Sequence, residues 1–205
     1  MKKTFNFFEK KRRALTGVFI VTALCSVFLT EHSWEYGGAV QRAFRWTGAL
    51  LVIMGVAGRL WSTMYIGGRK NDELVQGGPY SMCRNPLYLF SFIAGLGVTL
   101  SFENVLLAAI YIIGFSLYYP FVIRSEERRL EMLFGETFRA YMKSTPRFAP
   151  NPFLFRFGRP EVSAARLWRT FQDAIMFIIM VPAAYLIDWL KEGGILHQIV
   201  RWRIP

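Results

Sequence analysis

Residues 86–123 read PLYLFSFIAGLGVTLSFENVLLAAIYIIGFSLYYPFVI, and this run decides the fold. It holds two apolar stretches, Pro86–Ser101 and Asn104–Ile123, with almost nothing between them. Each approaches or reaches the ~20 residues needed to cross a bilayer. A connection that short makes two helices antiparallel neighbours. The stretches therefore form a tight helical hairpin. The segments that enter and leave it emerge side by side on one face of the membrane.

Three further apolar stretches flank the hairpin: Leu15–Leu29, Thr47–Ile66 and Phe171–Leu190. The chain has 205 residues, is 53% hydrophobic, and still carries a net charge of +11. The two facts agree if the apolar residues sit in lipid and the charges flank them. The reading is an all-α integral membrane protein with about five transmembrane helices, a tight helical hairpin and a cytoplasmic amphipathic helix. The positive charge then belongs to membrane flanks, so the expected partners are membrane lipids and not nucleic acid.

Lys and Arg accumulate on cytoplasmic loops, which sets the topology. With the N-terminus inside, nineteen of them fall on the inner side and five outside, with Arg59 inside a span. The N-terminus is thus expected on the cytoplasmic side, and the expected location is a prokaryotic cytoplasmic membrane. The first stretch follows Lys10–Arg13 and has no small-residue cleavage site before Glu31, so it reads as a retained anchor. Pro182 and Asp188 interrupt the fifth stretch; a full crossing is preferred to a re-entrant course. Cys25 lies in a span and Cys83 in a basic loop, while His32 and His197 are far apart. No metal site is expected.

The loop before the hairpin reads Gly77-Gly78-Pro79-Tyr80, then Arg84-Asn85-Pro86-Leu87-Tyr88. Asn85 as N-cap and Pro86 at the first helical position start the third span. The positive end of that helix, beside Arg84, suits a carboxylate or phosphate; a headgroup anchor is the bland alternative. Gly95-Leu96-Gly97 suits close helix packing, or a flat ligand in the same groove. After the hairpin, Glu126 and Glu127 sit where the helix leaves the membrane, a few residues past Tyr118 and Tyr119. Leu130, Leu133 and Phe134 share one face of its extension, and Gly135 is a C-cap candidate. Arg59 is an intramembrane charge, a functional suspect unless it snorkels to the surface. As a site residue it is expected to face the bundle near Glu126 or Glu127.

In this order, these pieces resemble the membrane-embedded methyltransferases that include isoprenylcysteine carboxyl methyltransferase and the phospholipid N-methyltransferases. The family pattern of Leu-Val-x-x-Gly-Pro-Tyr, Arg-His-Pro-x-Tyr, a hairpin, Glu-Glu and Phe-Gly-x-x-Tyr-x-x-Tyr is matched from Leu74 to Tyr141. Asn85 stands where the family has His, and Phe138 replaces its first Tyr after Phe-Gly. Asn85 can donate a hydrogen bond but cannot exchange a proton.

The resemblance implies S-adenosylmethionine bound between the loop and the helix after the hairpin, and a lipid-like methyl acceptor. Arg84, Asn85 and Tyr88 would face the methionine end, and Glu126 or Glu127 the adenosine end. Gly78, Tyr80, Gly95, Gly97 and Tyr141 complete the cofactor candidates; Arg59 and Glu126 are the catalytic ones. Arg84 and Glu127 are expected in a polar pocket, replaceable without unfolding the protein. Residues 47–150 form the methyltransferase core. Residues 1–46 supply the basic arm, first span and outer loop, and residues 151–205 a C-terminal extension. The competing readings are an NADPH-dependent, steroid-reductase-like enzyme using Arg128, Arg129 and Arg139, and a non-enzymatic membrane scaffold.

Overall fold

The computed structural model describes residues 30–32, 37–67, 72–192 and 202–204. The expected first span and the basic arm lie outside the described residues, as do Arg69 and Lys70. Five α-helices follow one another: α1 (Ala39–Ile66), α2 (Pro79–Met82), α3 (Pro86–Ser101), α4 (Val105–Ser144) and α5 (Ala164–Glu192). A 3₁₀ turn, Pro152–Leu154, separates α4 from α5. Among the described residues the architecture is helical apart from one short parallel pair, β1 (Thr30–His32) with β2 (Trp202–Ile204). Helices α1, α4 and α5 are long and apolar enough to cross a membrane; α3 is a shorter apolar helix. Their outer faces carry exposed Ile53, Ile113, Leu117, Phe121 and Ile179, as lipid-facing surfaces should.

Lipid tails are as apolar as leucine, so helices in a bilayer associate by close packing and polar contacts rather than by hydrophobic burial. The α1–α3 contact follows that rule. A Cβ on Gly55 would lie 2.5 Å from the Ala94 nitrogen, and one on Gly97 would lie 2.6 Å from the Gly48 carbonyl oxygen. The two backbones nearly touch. Across the hairpin, aromatic rings fill the space between α3 and α4. Phe92 lies 4.7 Å from Phe115, and Phe115 stacks on Tyr119 at 3.8 Å.

The fifth stretch is one continuous helix despite Pro182, long and apolar enough to cross a membrane. Helix α5 runs antiparallel along α1: Thr63 meets Thr170 near one end, Val52 and Val56 pack with Ala174 in the middle, and Arg45 pairs with Asp188 at the other. The hairpin turn is drawn into that far end. Glu103 takes a left-handed φ of 54°, unusual for a side-chain-bearing residue. Its buried carboxylate accepts from Arg45 Nε at 2.5 Å and Gln41 Nε2 at 2.8 Å. These bonds hold the turn in a conformation its backbone disfavours.

Asn104 caps α4 through its side chain, accepting from the Leu107 amide at 2.9 Å. Asn85 begins α3 as expected but makes no side-chain cap bond. Helix α4 continues out of the membrane until Gly135, whose φ of 51° and ψ of −125° break it in two. A residue without Cβ tolerates that conformation. The break redirects the last turns toward the loop before the hairpin.

Replacing Gly55 by Ala should lower stability by about 1–3 kcal/mol, because the new methyl meets backbone that cannot move aside. Ala57→Leu, on the exposed side of the same helix, should stay within about 0.5 kcal/mol of the parent. Thermal unfolding of both variants in a neutral detergent measures the difference.

Candidate functional site

The loop before the hairpin is pinned from two directions. Gly78 adopts a φ of +59°, and a Cβ there would strike the Tyr65 ring at 2.4 Å. The Gly78 amide donates to the Arg156 carbonyl at 2.8 Å, the Arg156 amide to Ser81 Oγ at 2.9 Å, and the Asn151 amide to the Met82 carbonyl at 3.0 Å. From the other side the Arg84 amide donates to the Pro146 carbonyl at 2.9 Å. Beyond the Gly135 break, Phe138 and Tyr141 are buried, and the Tyr141 hydroxyl donates to the Tyr80 carbonyl at 2.6 Å. The loop and the segment after the hairpin thus form one unit, as the short hairpin connection requires.

Glu127 is its centre. One carboxylate oxygen accepts from Arg84 Nε at 3.0 Å, and the other pairs with Arg147 Nη2 at 2.9 Å. Arg84 Nη1 also donates to the Met142 and Thr145 carbonyls, at 2.6 and 2.9 Å. The Asn85 amide donates to the Arg147 carbonyl at 3.0 Å and lies 3.5 Å from the Glu127 carboxylate. The Arg84 and Glu127 side chains are only 9% and 7% exposed. Both were expected in a polar pocket, replaceable without unfolding the protein. They form a buried ion pair, and stripping one partner strands the other's charge.

Beside this pair opens a cleft. Of the candidates drawn from sequence, Tyr80, Arg84, Asn85, Tyr88, Glu126 and Tyr141 line it. Pro86 and Leu87 line it too, so the N-terminal end of α3, where only the Leu87 and Tyr88 amides lack an intrahelical acceptor, borders the space. Tyr88 donates to Glu126 at 2.8 Å. The Tyr80 hydroxyl is buried and has no hydrogen-bond partner among the described residues. Burial also pushes the Tyr80 and Tyr141 phenols well above their ordinary range, so both stay protonated donors. The Cys83 thiol is pushed up to about 11 by burial, against the opposing Asn85 amide, and stays protonated at neutral pH. A donor of this kind beside a helix N-terminus suits a ligand with an anionic or acceptor-rich end.

The remaining candidates lie elsewhere. Gly95 packs on the Tyr111 ring and Gly97 on the α1 backbone, so both serve helix contacts instead of lining the cleft. Gly78 shapes the loop behind it. Arg59 faces into the bundle, as expected, but its partners differ from those expected. Nη1 donates to Ser91 Oγ, the guanidinium lies 5.9 Å from the Phe177 ring centre, and Nε is buried without a partner. Its expected partners are engaged elsewhere, Glu127 with two arginines and Glu126 with Tyr88.

Sequence reasoning missed Glu73 and Leu130 in the cleft lining and Arg147 on Glu127. Arg147 is one of ten basic residues between 124 and 170, and no spacing signal separates it from the others. Of the arginines considered for an extra phosphate, Arg129 lines the cleft, while Arg139 is bound to Glu131 and Glu136.

Comparison with known proteins adds a lineage to this geometry. The family described as phospholipid methyltransferase matches residues 43–137, which include Arg59, the cleft loop, the hairpin and both glutamates. The chain is 34% identical to the cobalt-zinc-cadmium resistance protein CzcN of Cupriavidus metallidurans, over 95% of this chain and 90% of that one. It is 40% identical to the nickel-cobalt-cadmium resistance protein NccN of Alcaligenes xylosoxydans xylosoxydans, over 88% of this chain and 85% of the relative. No solved structure matches.

Arg84→Ala and Glu127→Ala should each destabilise the protein by about 3–5 kcal/mol, the usual result of breaking a buried pair. Glu127→Gln, which keeps shape and one acceptor, should cost less. Thermal denaturation without added ligand separates this structural role from a ligand-binding one.

Proposed function

This chain belongs to the phospholipid methyltransferase family, and from that premise we propose an S-adenosylmethionine-dependent methyltransferase acting on a lipid or membrane-partitioned acceptor at the cytoplasmic face. The observation that carries the reading is the buried Tyr80 hydroxyl, without a hydrogen-bond partner among the described residues, on a residue that lines the cleft beside the N-terminal end of α3. An unsatisfied buried hydroxyl costs about 1–3 kcal/mol, and a ligand that accepts its hydrogen bond offsets that cost. Here Tyr80 and the first-turn amides of α3 bind the cofactor's carboxylate. Glu126, held by Tyr88, accepts from hydroxyl or amino groups at the nucleoside end. Arg84, Asn85 and Glu127 act by fixing the loop that carries Tyr80, and Tyr141 by holding its carbonyl.

When bound, S-adenosylmethionine supplies a methyl group on a positively charged sulfur. The chain's own task is to align the acceptor with that methyl and to exclude water. Asn85 is tied to a carbonyl and has no titratable group to act as a general acid or base, so positioning does the work here. The core comprises residues 47–150, with 1–46 and 151–205 as flanking parts; the bonds from Asn151 and Arg156 to the cleft loop give the C-terminal part a supporting role. The relatives' names speak of resistance to cobalt, zinc, cadmium and nickel. The corresponding role proposed here is methylation of a membrane component.

Tyr80→Phe tests this in a way that a structural role would not mimic. Affinity for S-adenosylhomocysteine should fall about two- to twelvefold, from the loss of ~0.5–1.5 kcal/mol of hydrogen bonding. Stability without ligand should stay the same or rise, since the variant removes an unsatisfied polar atom. Calorimetric titration and thermal unfolding read the two effects. Unchanged affinity would sink the cofactor placement, and tight binding of NADPH in place of S-adenosylhomocysteine would favour a reductase.

A further inference from the structure

Arg59 lies seven residues before the end of α1, about 10 Å inside the helix at 1.5 Å per residue. Its side chain turns into the bundle, toward Ser91 on α3 and Phe177 on α5. Among the described residues no carboxylate forms an ion pair with it. Its recorded hydrogen bond goes to the neutral Ser91 hydroxyl, which itself donates to the Leu87 carbonyl at 2.6 Å. Nε is buried and unpartnered, and the Phe177 ring covers one side. Asp173 on α5 attracts the guanidinium from a distance, but its own side chain is exposed. An intramembrane cation without a paired carboxylate among the described residues points to a functional site.

The position connects to the cleft. Ser91 is one helical turn beyond Tyr88 on the same face of α3, about 4.5 Å deeper. Tyr88 lines the cleft and meets Tyr119 edge to face at 5.5 Å, and Tyr119 stacks on Phe115. An aromatic wall therefore leads from the cleft into the membrane, and Tyr119 is within electrostatic reach of Arg59.

We propose that Arg59 and Ser91 form an intramembrane anion site that selects methyl acceptors bearing a phosphate or carboxylate, holding that group one helical turn below the cleft. This rests on the methyltransferase reading for the word acceptor; the anion site itself stands on the geometry. An amphiphile so held places atoms within a few bonds of its acidic group at the cleft. The aromatic wall receives its apolar chain. A purely cationic or neutral amphiphile finds an unmatched charge instead.

The test is equilibrium binding of hexadecyl phosphate, palmitate, hexadecylamine and hexadecanol to the full chain in a neutral detergent, with inorganic phosphate as competitor. The two acids should bind at least tenfold more tightly than the amine and the alcohol. Arg59→Met should erase that preference while S-adenosylhomocysteine binding persists, because Arg59 is outside the cleft lining; Arg59→Lys should restore part of it. The ranking of the four probes on the unmodified protein stands even if a variant fails to fold. Equal binding of all four, or undiminished acid preference in Arg59→Met, overturns the site. Inorganic phosphate binding as tightly as hexadecyl phosphate overturns the assignment to an amphiphilic acceptor. Loss of S-adenosylhomocysteine binding in the unmodified protein, with acid preference intact, removes the methyl-transfer reading and leaves the anion site standing.

Discussion

At the point where α4 leaves the bilayer, Glu127 is buried between Arg84 from the loop before the hairpin and Arg147 from the segment after it. Each of those arginines belongs to a stretch of chain that could otherwise swing free of the other. A carboxylate with guanidinium groups on both oxygens tolerates burial because its charge and its lone pairs are both matched. The same bonds bring the carbonyls of Met142, Thr145 and Arg147 under the loop. Tyr80, the amide end of α3 and Glu126 keep their relative positions because this knot ties their carriers together.

A second polar knot closes the opposite end of the bundle. Arg45 joins Glu103 in the hairpin turn to Asp188 on α5, with Gln41 bonded to both acids. Between the two knots the helices meet through glycine and small residues on the α1–α3 side and through aromatic rings on the α3–α4 side. This division follows from the solvent. Lipid offers no hydrophobic drive for helix association, so orientation comes from polar contacts at the ends and affinity from close contact along the middle. Arg59 departs from the pattern, since it is polar, central and unmatched by a carboxylate.

Two polar regions consequently lie on one side of the molecule at different depths. The cleft presents fixed donors and an acid near the membrane surface, which suits a water-soluble, multiply polar ligand. The Arg59–Ser91 pair sits deeper, among aromatic rings, which suits a molecule that arrives through lipid. A transfer between a soluble donor and a membrane-partitioned acceptor needs that arrangement, because the reacting groups must meet without either ligand leaving its own phase.

Much of this was legible in the sequence. Run length and apolar content determined the helices. The near absence of residues between Ser101 and Asn104 determined the hairpin, and with it the convergence of the two motif-bearing segments, since helices so joined must lie side by side. Gly135 was readable as a helix end because only a residue without Cβ accepts that backbone freely. Pairing was another matter. Arg84 and Glu127 were visible as polar residues on the right segments, but whether each faced a ligand or the other depended on the direction of the chain beyond Gly135. Arg147 was lost among similar charges. Gly95 and Gly97 could serve a ligand or a neighbour, and only the approach of α1 decided for the neighbour. Among the described residues, the sequence by itself determined which segments form long apolar helices and which segments lie together at their ends, because those depend on length, polarity and connection. The tertiary structure alone decided which polar groups satisfy each other and which, like Arg59 Nε and the Tyr80 hydroxyl, have no partner among the described residues, because a hydrogen bond depends on side-chain direction over a few ångströms.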